Sequence, residues 1–451
     1  MISTPRARVA LNAGSLHRRI WRWHFYAGLF VIPFVVVLAL TGTIFLFKPQ
    51  VDRWEERTFQ GLPTTGEVAA SRQVDAALAA FDGARLQSYR LPDRTGDAAM
   101  VHLALADGAM RDVFVSPQGE VLGSFDPDAR IIAFVRRLHG QLLLGPRGSW
   151  LVELAASWAI VMLVTGVYLW WPRGRGLAGV VWPRRRSLLR DLHAVTGFWV
   201  AGLALVLLLT GLPWADVWGR ALQTVRTQMG WVQGASDWSI GGRHAEAGDL
   251  HARHDHAAMQ PGASVFDAIA LDAVVAKADG EHLAFPVLVI PPGAPRDFTG
   301  SVSTGWTLKS DAQNRPLVTT ITYDVTSTET ARQRFTDQHP IDQAIGYGVA
   351  WHEGQLFGPV NQAIGVFTAV ALVTMGITGF LMWRRRRPNG ELGAPALPAD
   401  LRKPRVVVIA TLLLALYLPL LAASLLLLWL FDLTLPRVSP TAAAWLGINQ
   451  I

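Results

Sequence analysis

The sequence predicts a membrane all-α bundle of five transmembrane helices, arranged as two repeated helix pairs plus one helix, with two α+β units on its outer side. Three observations predict this class: a high apolar content, long apolar runs and an uneven distribution of basic residues. Of the 451 residues, 51% are hydrophobic and 17% are charged, a more apolar balance than soluble domains of this length usually have.

Five apolar runs are long enough to cross a bilayer as helices, which requires about 20 residues. The first run is too long for the core of a signal peptide and no cleavage-site pattern follows it, so we expect a retained helix. The runs cover residues 25–47, 150–171, 193–215, 361–383 and 406–431.

Basic residues concentrate on one side of these runs, within residues 6–22, 173–190 and 384–405. Cytoplasmic loops carry such an excess of Lys and Arg, so the N-terminus is predicted inside and the C-terminus in the periplasm of a bacterial inner membrane. The net charge of +7 then reflects topology, and no nucleic-acid partner is expected.

Two long polar segments are predicted to be external. Each reads as one helix followed by an antiparallel meander, because runs of strand-forming residues alternate with turn signals. The first segment has a helix at 71–81 and strands at 84–91, 98–105 and 110–115; the second has a helix at 265–278 and strands at 283–290, 301–308 and 316–325.

The predicted order of segments follows from these boundaries. The first half comprises the cytoplasmic N-terminus and first helix (1–47), external unit 1 (48–135), the second helix with a preceding histidine segment (136–171) and a cytoplasmic basic loop (172–192). The second half comprises the third helix (193–215), an external loop and unit 2 (216–345), the fourth helix with its histidine segment (346–383), a second basic loop (384–405), the fifth helix (406–431) and a periplasmic tail (432–451).

The membrane part of the sequence is duplicated. Landmarks recur at identical spacing in the first and third runs, and again in the second and fourth, which predicts two copies related by a pseudo-twofold axis along the membrane normal. The first set is His24, Gly28 and Thr41-Gly42, repeated as His193, Gly197 and Thr210-Gly211; the second is His139, Gly145-Pro146 and Thr165-Gly166, repeated as His352, Gly358-Pro359 and Thr378-Gly379.

The duplication predicts two symmetric histidine pairs, one near each membrane surface: His24 with His193, and His139 with His352. Two imidazoles facing each other across an axis are what a bis-histidine haem needs as axial iron ligands. A single histidine at a helix end is more often an interfacial residue, but that alternative has to explain two matched pairs. His17 competes with His24, since both lie on one helix face, and the repeat spacing favours His24.

Other groups are given structural interpretations. The Thr-Gly pairs are expected to be packing points between helices, and Gly28 and Gly197 to leave room for a flat macrocycle or for close helix contact. Glu153 is either a functional charge or an interfacial one. His339 is expected to be structural. His244, His251, His254 and His256 are interpreted as a solvated loop, with metal binding as the alternative.

Composition also excludes several chemistries. The chain has no cysteine, which excludes disulfides, iron–sulfur clusters, thiolate zinc sites and covalent haem attachment. No flavin or nucleotide site is recognised, and the predicted cytoplasmic loops of about 20 residues are too short to bind a dinucleotide. An electron donor must therefore be a separate partner, either membrane quinol or a cytosolic flavoprotein.

Several motifs resemble the PepSY-associated transmembrane family of bacterial inner-membrane proteins, in particular its di-haem ferric-siderophore reductase branch. The resemblance covers nearly the whole chain and is carried by the segments 23–42, 138–140, 192–211, 339–342 and 351–358, with 115–121 similar to the final hairpin of a PepSY domain. It implies two haem b groups, with His24, His193, His139 and His352 as axial ligands of the haem irons.

The resemblance further implies an oxidoreductase that reduces a ferric siderophore, or another ferric chelate, in the periplasm so that iron is released for uptake. Outer-sphere electron transfer of this kind needs no catalytic side chain. Two alternatives are a membrane-anchored PepSY binding or regulatory module without redox activity, and a proton-coupled transporter whose histidines relay protons.

Overall fold

The computed structural model describes residues 5–171, 181–182, 188–231, 267–294, 303–324, 326–395 and 405–448. The chain forms two compact units. The bundle unit comprises residues 1–43, 139–221 and 363–451, and the sheet unit comprises residues 44–138 and 222–362.

Helices make up most of the described chain. In chain order they are α1 Pro5–Leu46, α2 Lys48–Glu55, α3 Ala70–Ala79, α4 Ile131–Gln141, α5 Pro146–Trp170, α6 Leu188–Gly211, α7 Asp216–Gln228, α8 Ala268–Glu281, α9 Pro340–His352, α10 Pro359–Arg386, α11 Arg405–Tyr417, α12 Pro419–Val438 and α13 Pro440–Trp445. The strands are β1 Arg85–Arg90, β2 Ala99–Ala104, β3 Met110–Val115, β4 Val121–Phe125, β5 Val287–Ile290, β6 Trp306–Ser310, β7 Thr319–Tyr323 and β8 Glu329–Arg334.

The prediction of five membrane spans is confirmed by length and composition. Within the described residues, five helical segments are long and apolar enough to cross a bilayer, and the chain is therefore a multi-pass membrane protein. They are Leu16–Leu46, Pro146–Trp170, Leu188–Trp214, Pro359–Arg386 and Pro419–Val438.

The fifth predicted helix, at 406–431, is interrupted in the structure. Leu418 separates α11 from α12 with extended backbone angles, φ −119° and ψ 91°. Pro419 explains the break, because proline lacks an N–H and disfavours helical angles in the residue before it. α11 has 13 residues, a length of about 20 Å at 1.5 Å per residue, and is shorter than each of the five segments named above.

The break changes where the C-terminus lies. The indole of Trp218, just beyond the end of α6, donates to the carbonyl of Tyr417 at 2.9 Å. At the far end of the same segment, the Arg22 guanidinium donates to the carbonyl of Gly447 at 2.8 Å and the Tyr26 hydroxyl donates to that of Leu446 at 2.5 Å. α12 therefore runs back toward the start of the first span. These contacts place Leu446 and Gly447 beside the first span, whereas the sequence analysis predicts residues 432–451 on the side opposite the N-terminus. The membrane side of this segment stays a prediction.

The sheet unit contains one continuous antiparallel sheet of eight strands in the order β4-β3-β2-β1-β5-β6-β7-β8. The two predicted external units are joined where β1 pairs with β5, in the register Tyr89 with Val289 and Arg90 with Leu288. Each meander also has a fourth strand, β4 and β8, that the sequence analysis missed. Pairing β1 with β5 removes two open sheet edges, which would otherwise expose unpaired backbone groups.

Both helices of the meanders share one hydrophobic core with the sheet. Val74 of α3, Leu271 and Val274 of α8, and Leu308 of β6 belong to this core and are fully buried. The two helices are also linked directly, because the Ser71 hydroxyl donates to an Asp272 carboxylate oxygen at 2.6 Å. The two halves thus fold as one body within the sheet unit.

A buried ion pair links two helices of the sheet unit. Arg226, near the end of α7, is 2% exposed and donates to the carboxylate of Asp342 in the first turn of α9. Burial raises the pKa of Asp342, although Arg226 opposes this shift. Removing one member of such a pair leaves a charge buried without its partner.

We expect Arg226→Ala to destabilise the sheet unit by about 3–5 kcal/mol, the usual cost of breaking a buried ion pair. Thermal unfolding of the detergent-purified protein measures the effect. Arg332→Ala is the control, because it removes a more exposed pair with Glu281, and surface pairs contribute about 1 kcal/mol or less. Equal losses in the two variants would contradict this expectation.

His102 of β2 makes a second charged contact in the sheet unit, with Asp112 of β3. Burial alone would lower the pKa of His102, but the adjacent Asp112 carboxylate, to which it is hydrogen-bonded, raises it above its usual value. A raised histidine pKa stabilises the fold fully below the unfolded-state pKa of about 6.5, and the contribution is lost as pH rises through the higher folded-state pKa.

The unfolding temperature is therefore expected to fall as pH rises above about 6.5. Part of this fall is expected to come from the deprotonation of His102. Calorimetry of the wild type and of His102→Gln between acidic and alkaline pH measures it. The variant should lose that component of the fall. Asp112→Asn should lose it too, since the carboxylate causes the shift, and parallel profiles in all three proteins would rule this account out.

The position of the C-terminus can be tested by labelling, because the chain has no native cysteine. Ala444 in α13 is exposed. With the N-terminus inside, A444C should resist a membrane-impermeant maleimide in intact spheroplasts and react after lysis. D107C, in the segment predicted to be external, is the positive control. Labelling of A444C in intact spheroplasts would restore the external C-terminus.

Candidate functional site

The first predicted histidine pair lies inside the bundle unit. His24 of α1 and His193 of α6 are neighbours, with ring centroids 6.5 Å apart and ring planes at 85°. Both lie in the first halves of their membrane-spanning segments, Leu16–Leu46 and Leu188–Trp214, as the duplication predicts. The structure thus brings together these two imidazoles from two different helices.

Each imidazole contacts the second helix of its own repeated helix pair, α5 for His24 and α10 for His193. His24 Nδ1 lies 3.0 Å from the carbonyl oxygen of Met162 and 3.2 Å from the Thr165 hydroxyl, both on α5. His193 Nδ1 lies 3.1 Å from the carbonyl oxygen of Met375 and 3.1 Å from the Thr378 hydroxyl, both on α10. The two copies therefore hold their histidines in the same way.

Glycines allow this approach. A Cβ on Gly166 would stand 3.1 Å from Cε1 of His24, and one on Gly379 would stand 3.4 Å from Cε1 of His193. A Cβ on Gly28 would stand 4.0 Å from Sδ of Met162, and one on Gly197 would stand 3.2 Å from Cε of Met375. Gly28 and Gly197 thus lie opposite side chains of the neighbouring helices α5 and α10.

The spacing of the two rings fits one metal ion between them. Two metal–imidazole bonds of about 2 Å each, plus about 1 Å from each nitrogen to its ring centre, place the ring centres about 6 Å apart. No group of three or more His, Cys, Asp or Glu side chains that could hold a metal occurs in the described part of the chain. Two axial imidazoles are sufficient for haem, whose porphyrin supplies the remaining ligands. The residues present therefore fit haem better than a bare ion.

His17, the competitor of His24, has a different neighbour. Its ring centroid lies 6.5 Å from that of Tyr168, near the end of α5, with the planes tilted by 39°. His24 is the one that faces His193. The geometry therefore supports the choice that the repeat spacing made.

The second predicted pair is distributed over the two units. His139, near the end of α4, belongs to the bundle unit, and its Nδ1 lies 2.9 Å from the Thr41 hydroxyl of α1. Gly42 is again close, since a Cβ there would stand 3.2 Å from His139 Cε1. His352 ends α9 in the sheet unit. The axial-ligand role of these two histidines stays a prediction.

A buried carboxylate follows His352 directly. Glu353 is 7% exposed and accepts a hydrogen bond from the Gln313 amide at 3.3 Å. Burial raises the pKa of Glu353, and the nearby cations Arg315 and Lys48 oppose this shift. Charged groups of both signs thus surround the end of α9 within the sheet unit.

The structure changes two interpretations of the sequence analysis. The Thr-Gly pairs at Thr41, Thr165 and Thr378 were expected only to pack helices, yet each contacts a predicted ligand histidine. The identical spacing of the Thr-Gly pairs in both copies was the sequence feature that could have indicated this contact. Glu153 is 3% exposed and accepts from the backbone N–H groups of Val217 and Trp218, so it caps the beginning of α7 and is not exposed at the membrane interface.

His339 has the structural position expected of it, since its Nδ1 accepts from the backbone N–H of Ile341 at the start of α9. The histidine-rich segment at His244, His251, His254 and His256 lies outside the described residues.

Comparisons with known proteins agree with the membrane assignment. The model of a family described as "PepSY-associated TM region" matches residues 21–386, which include all four candidate ligand histidines. A search of curated proteins finds no match to the chain.

Proposed function

Since the chain belongs to the PepSY-associated TM family, whose model matches most of its length, we propose that it is a haem-b electron conduit of the bacterial inner membrane. Its substrate is a ferric chelate on the periplasmic side, of the ferric-siderophore class, and its product is ferrous iron available for uptake. The protein would be an oxidoreductase.

One observation carries this proposal: the imidazoles of His24 and His193 face each other at a spacing that suits one iron ion between them. They do so among membrane-spanning helices, and their Nδ1 atoms are occupied by the neighbouring helices. Binding or anchoring alone would not require two imidazoles in this arrangement. Two axial histidines also fill both free positions on haem iron, which favours electron transfer over oxygen binding.

The reaction is a one-electron step for each iron. Bound haem would supply reversible one-electron chemistry between its ferric and ferrous states. Each ferric chelate takes up one electron to become ferrous, so a two-electron donor serves two chelates. The donor is proposed to be membrane quinol or a cytosolic flavoprotein, as no nucleotide-binding motif is recognised in the chain. His139 and His352 are proposed to hold a second haem.

A non-redox binding role is the second candidate, and the sheet favours it. The outer strands β4 and β8 are largely exposed along their length, and exposed sheet edges can pair with a strand of another protein. This candidate predicts protein without haem, whereas the conduit requires it. Visible spectra of the purified protein separate the two.

We expect the detergent-purified wild type to contain about two haem b groups per chain, matching the two predicted bis-histidine sites. Dithionite reduction should give sharp α and β bands. His24→Ala and His193→Ala should each lose one haem, because either substitution removes an axial ligand of the same iron. Haem content by pyridine haemochrome assay and the reduced spectrum measure this.

His17→Ala is the matched control, because His17 is on the same helix and faces Tyr168. It should retain both haems. Loss of haem in His17→Ala, with full haem content in His24→Ala, would show that His17 and not His24 is the axial ligand. A colourless wild type with no haem in the membrane fraction would instead overturn the conduit and leave the binding module.

A further inference from the structure

We propose that three of the four Thr-Gly pairs, at Thr41, Thr165 and Thr378, are positioning devices: each fixes the ring proton of one histidine on Nδ1 and presents Nε2 as the metal-binding nitrogen. The identity of the bound group rests on the proposed function. The protonation pattern itself does not, since it follows from hydrogen bonds within the protein. Thr165, Thr378 and Thr41 are then positioning residues for His24, His193 and His139.

The pattern has the same spacing along α5 and α10. A backbone carbonyl is followed three residues later by the threonine and four residues later by the glycine, as in Met162, Thr165 and Gly166. The same spacing places Met375 ahead of Thr378 and Gly379. Residues three and four apart lie on one helix face. The methionine carbonyl, the threonine hydroxyl and the space left by the missing glycine side chain therefore all lie beside one imidazole.

The hydrogen bonds determine where the proton lies. A carbonyl oxygen only accepts, so the contact of His24 Nδ1 with Met162 requires a hydrogen on Nδ1. The Thr165 hydroxyl is 2.7 Å from the carbonyl of Val161 and donates there. Its oxygen is then free to accept from the same ring N–H. A neutral imidazole protonated on Nδ1 has its lone pair on Nε2.

The argument from the threonine hydroxyl also applies to His193 and His139. The Thr378 hydroxyl donates to the carbonyl of Thr374 at 2.7 Å, and the Thr41 hydroxyl donates to that of Val37 at 2.7 Å. Their oxygens therefore accept from His193 and His139. The contact occurs at equivalent positions in both copies and again at His139, so an incidental contact is a poor explanation.

The glycine is required because the imidazole lies against the helix backbone. An added Cβ at Gly166, Gly379 or Gly42 would stand 3.1, 3.4 and 3.2 Å from the corresponding ring carbon. At the first and third positions in particular the ring would have to move away from its acceptors. The neighbouring helix thus sets both the proton position and the ring orientation.

Two consequences for bound iron can be measured. A ring N–H that donates to an acceptor makes Nε2 more basic and so favours ferric over ferrous iron, which lowers the midpoint potential. The near-perpendicular rings, at 85°, are expected to give ferric haem a strongly anisotropic low-spin EPR signal. A merely structural threonine or glycine would control neither.

The first test uses the haem-free protein, labelled with ¹⁵N-histidine. The ring nitrogens of His24, His193 and His139 should report the Nδ1–H tautomer. G166A should give a mixture of tautomers for His24 alone, with His193 and His139 as internal references. Gly202→Ala is the matched control, because a Cβ there meets nothing within 4 Å.

The second test uses the haem-loaded protein. Thr165→Val removes one acceptor and should raise the midpoint potential of one haem, while Thr165→Ser should restore the wild-type value. G166A should weaken haem binding at that site about tenfold or more, as loss of a ligand-orienting contact usually does, and should change the EPR signal. Thr374→Val is the control, since its exposed hydroxyl bonds only within its own helix.

The outcomes separate the two proposals. An Nε2–H tautomer for His24 and His193 in the wild type would overturn the positioning role, whether or not haem binds. So would a Thr165→Val protein whose potential and EPR signal match those of Thr374→Val. A wild type that shows the Nδ1–H tautomer but never binds haem would overturn the conduit and leave the positioning role standing.

Discussion

The hydrogen bond between a ring nitrogen on one helix and a carbonyl–threonine pair on the next is the interaction on which the bundle unit depends. Apolar helices in a bilayer gain little from burying apolar surface against one another, so interhelical hydrogen bonds and small residues decide which helices meet. His24 joins α1 to α5, and His193 joins α6 to α10. The contacts that prepare the two imidazoles for a ligand therefore also hold each helix pair together.

Much of this arrangement could be predicted because membrane spans have few degrees of freedom. Their length is set by the bilayer, and a duplicated sequence places equivalent residues at equal depth. Spacing alone therefore paired His24 with His193. It could not show that Thr165 contacts His24, because depth along a helix says nothing about which neighbour its face meets. That information lies in the packing of α1 on α5, where a missing side chain at Gly166 lets the ring approach.

The sheet unit was less predictable, for a different physical reason. Each meander is visible from its turns and alternation, since these are local features. The pairing of β1 with β5 joins segments almost 200 residues apart, and only two residue pairs define it: Tyr89 with Val289 and Arg90 with Leu288. Strand β8 has a single apolar residue and therefore little hydrophobic signal, and β4 has only five residues, of which Val121 and Leu122 are exposed. Open edges in both meanders were the one hint that they would pair.

The helices outside the duplication make its two copies unequal. The residues two positions before the facing histidines are Arg22 in one copy and Asp191 in the other, and it is Arg22 whose guanidinium is bound by the carbonyls of Pro395 and Gly447. At the opposite end, Leu418 and Leu421 pack with Ile160 of α5. The C-terminal segment, residues 405–448, thus contacts α1 and α5, the helices that carry His24 and its hydrogen-bond acceptors. The symmetric imidazole pair is consequently set in an asymmetric bundle, and the surroundings of its two rings differ although their hydrogen bonds do not.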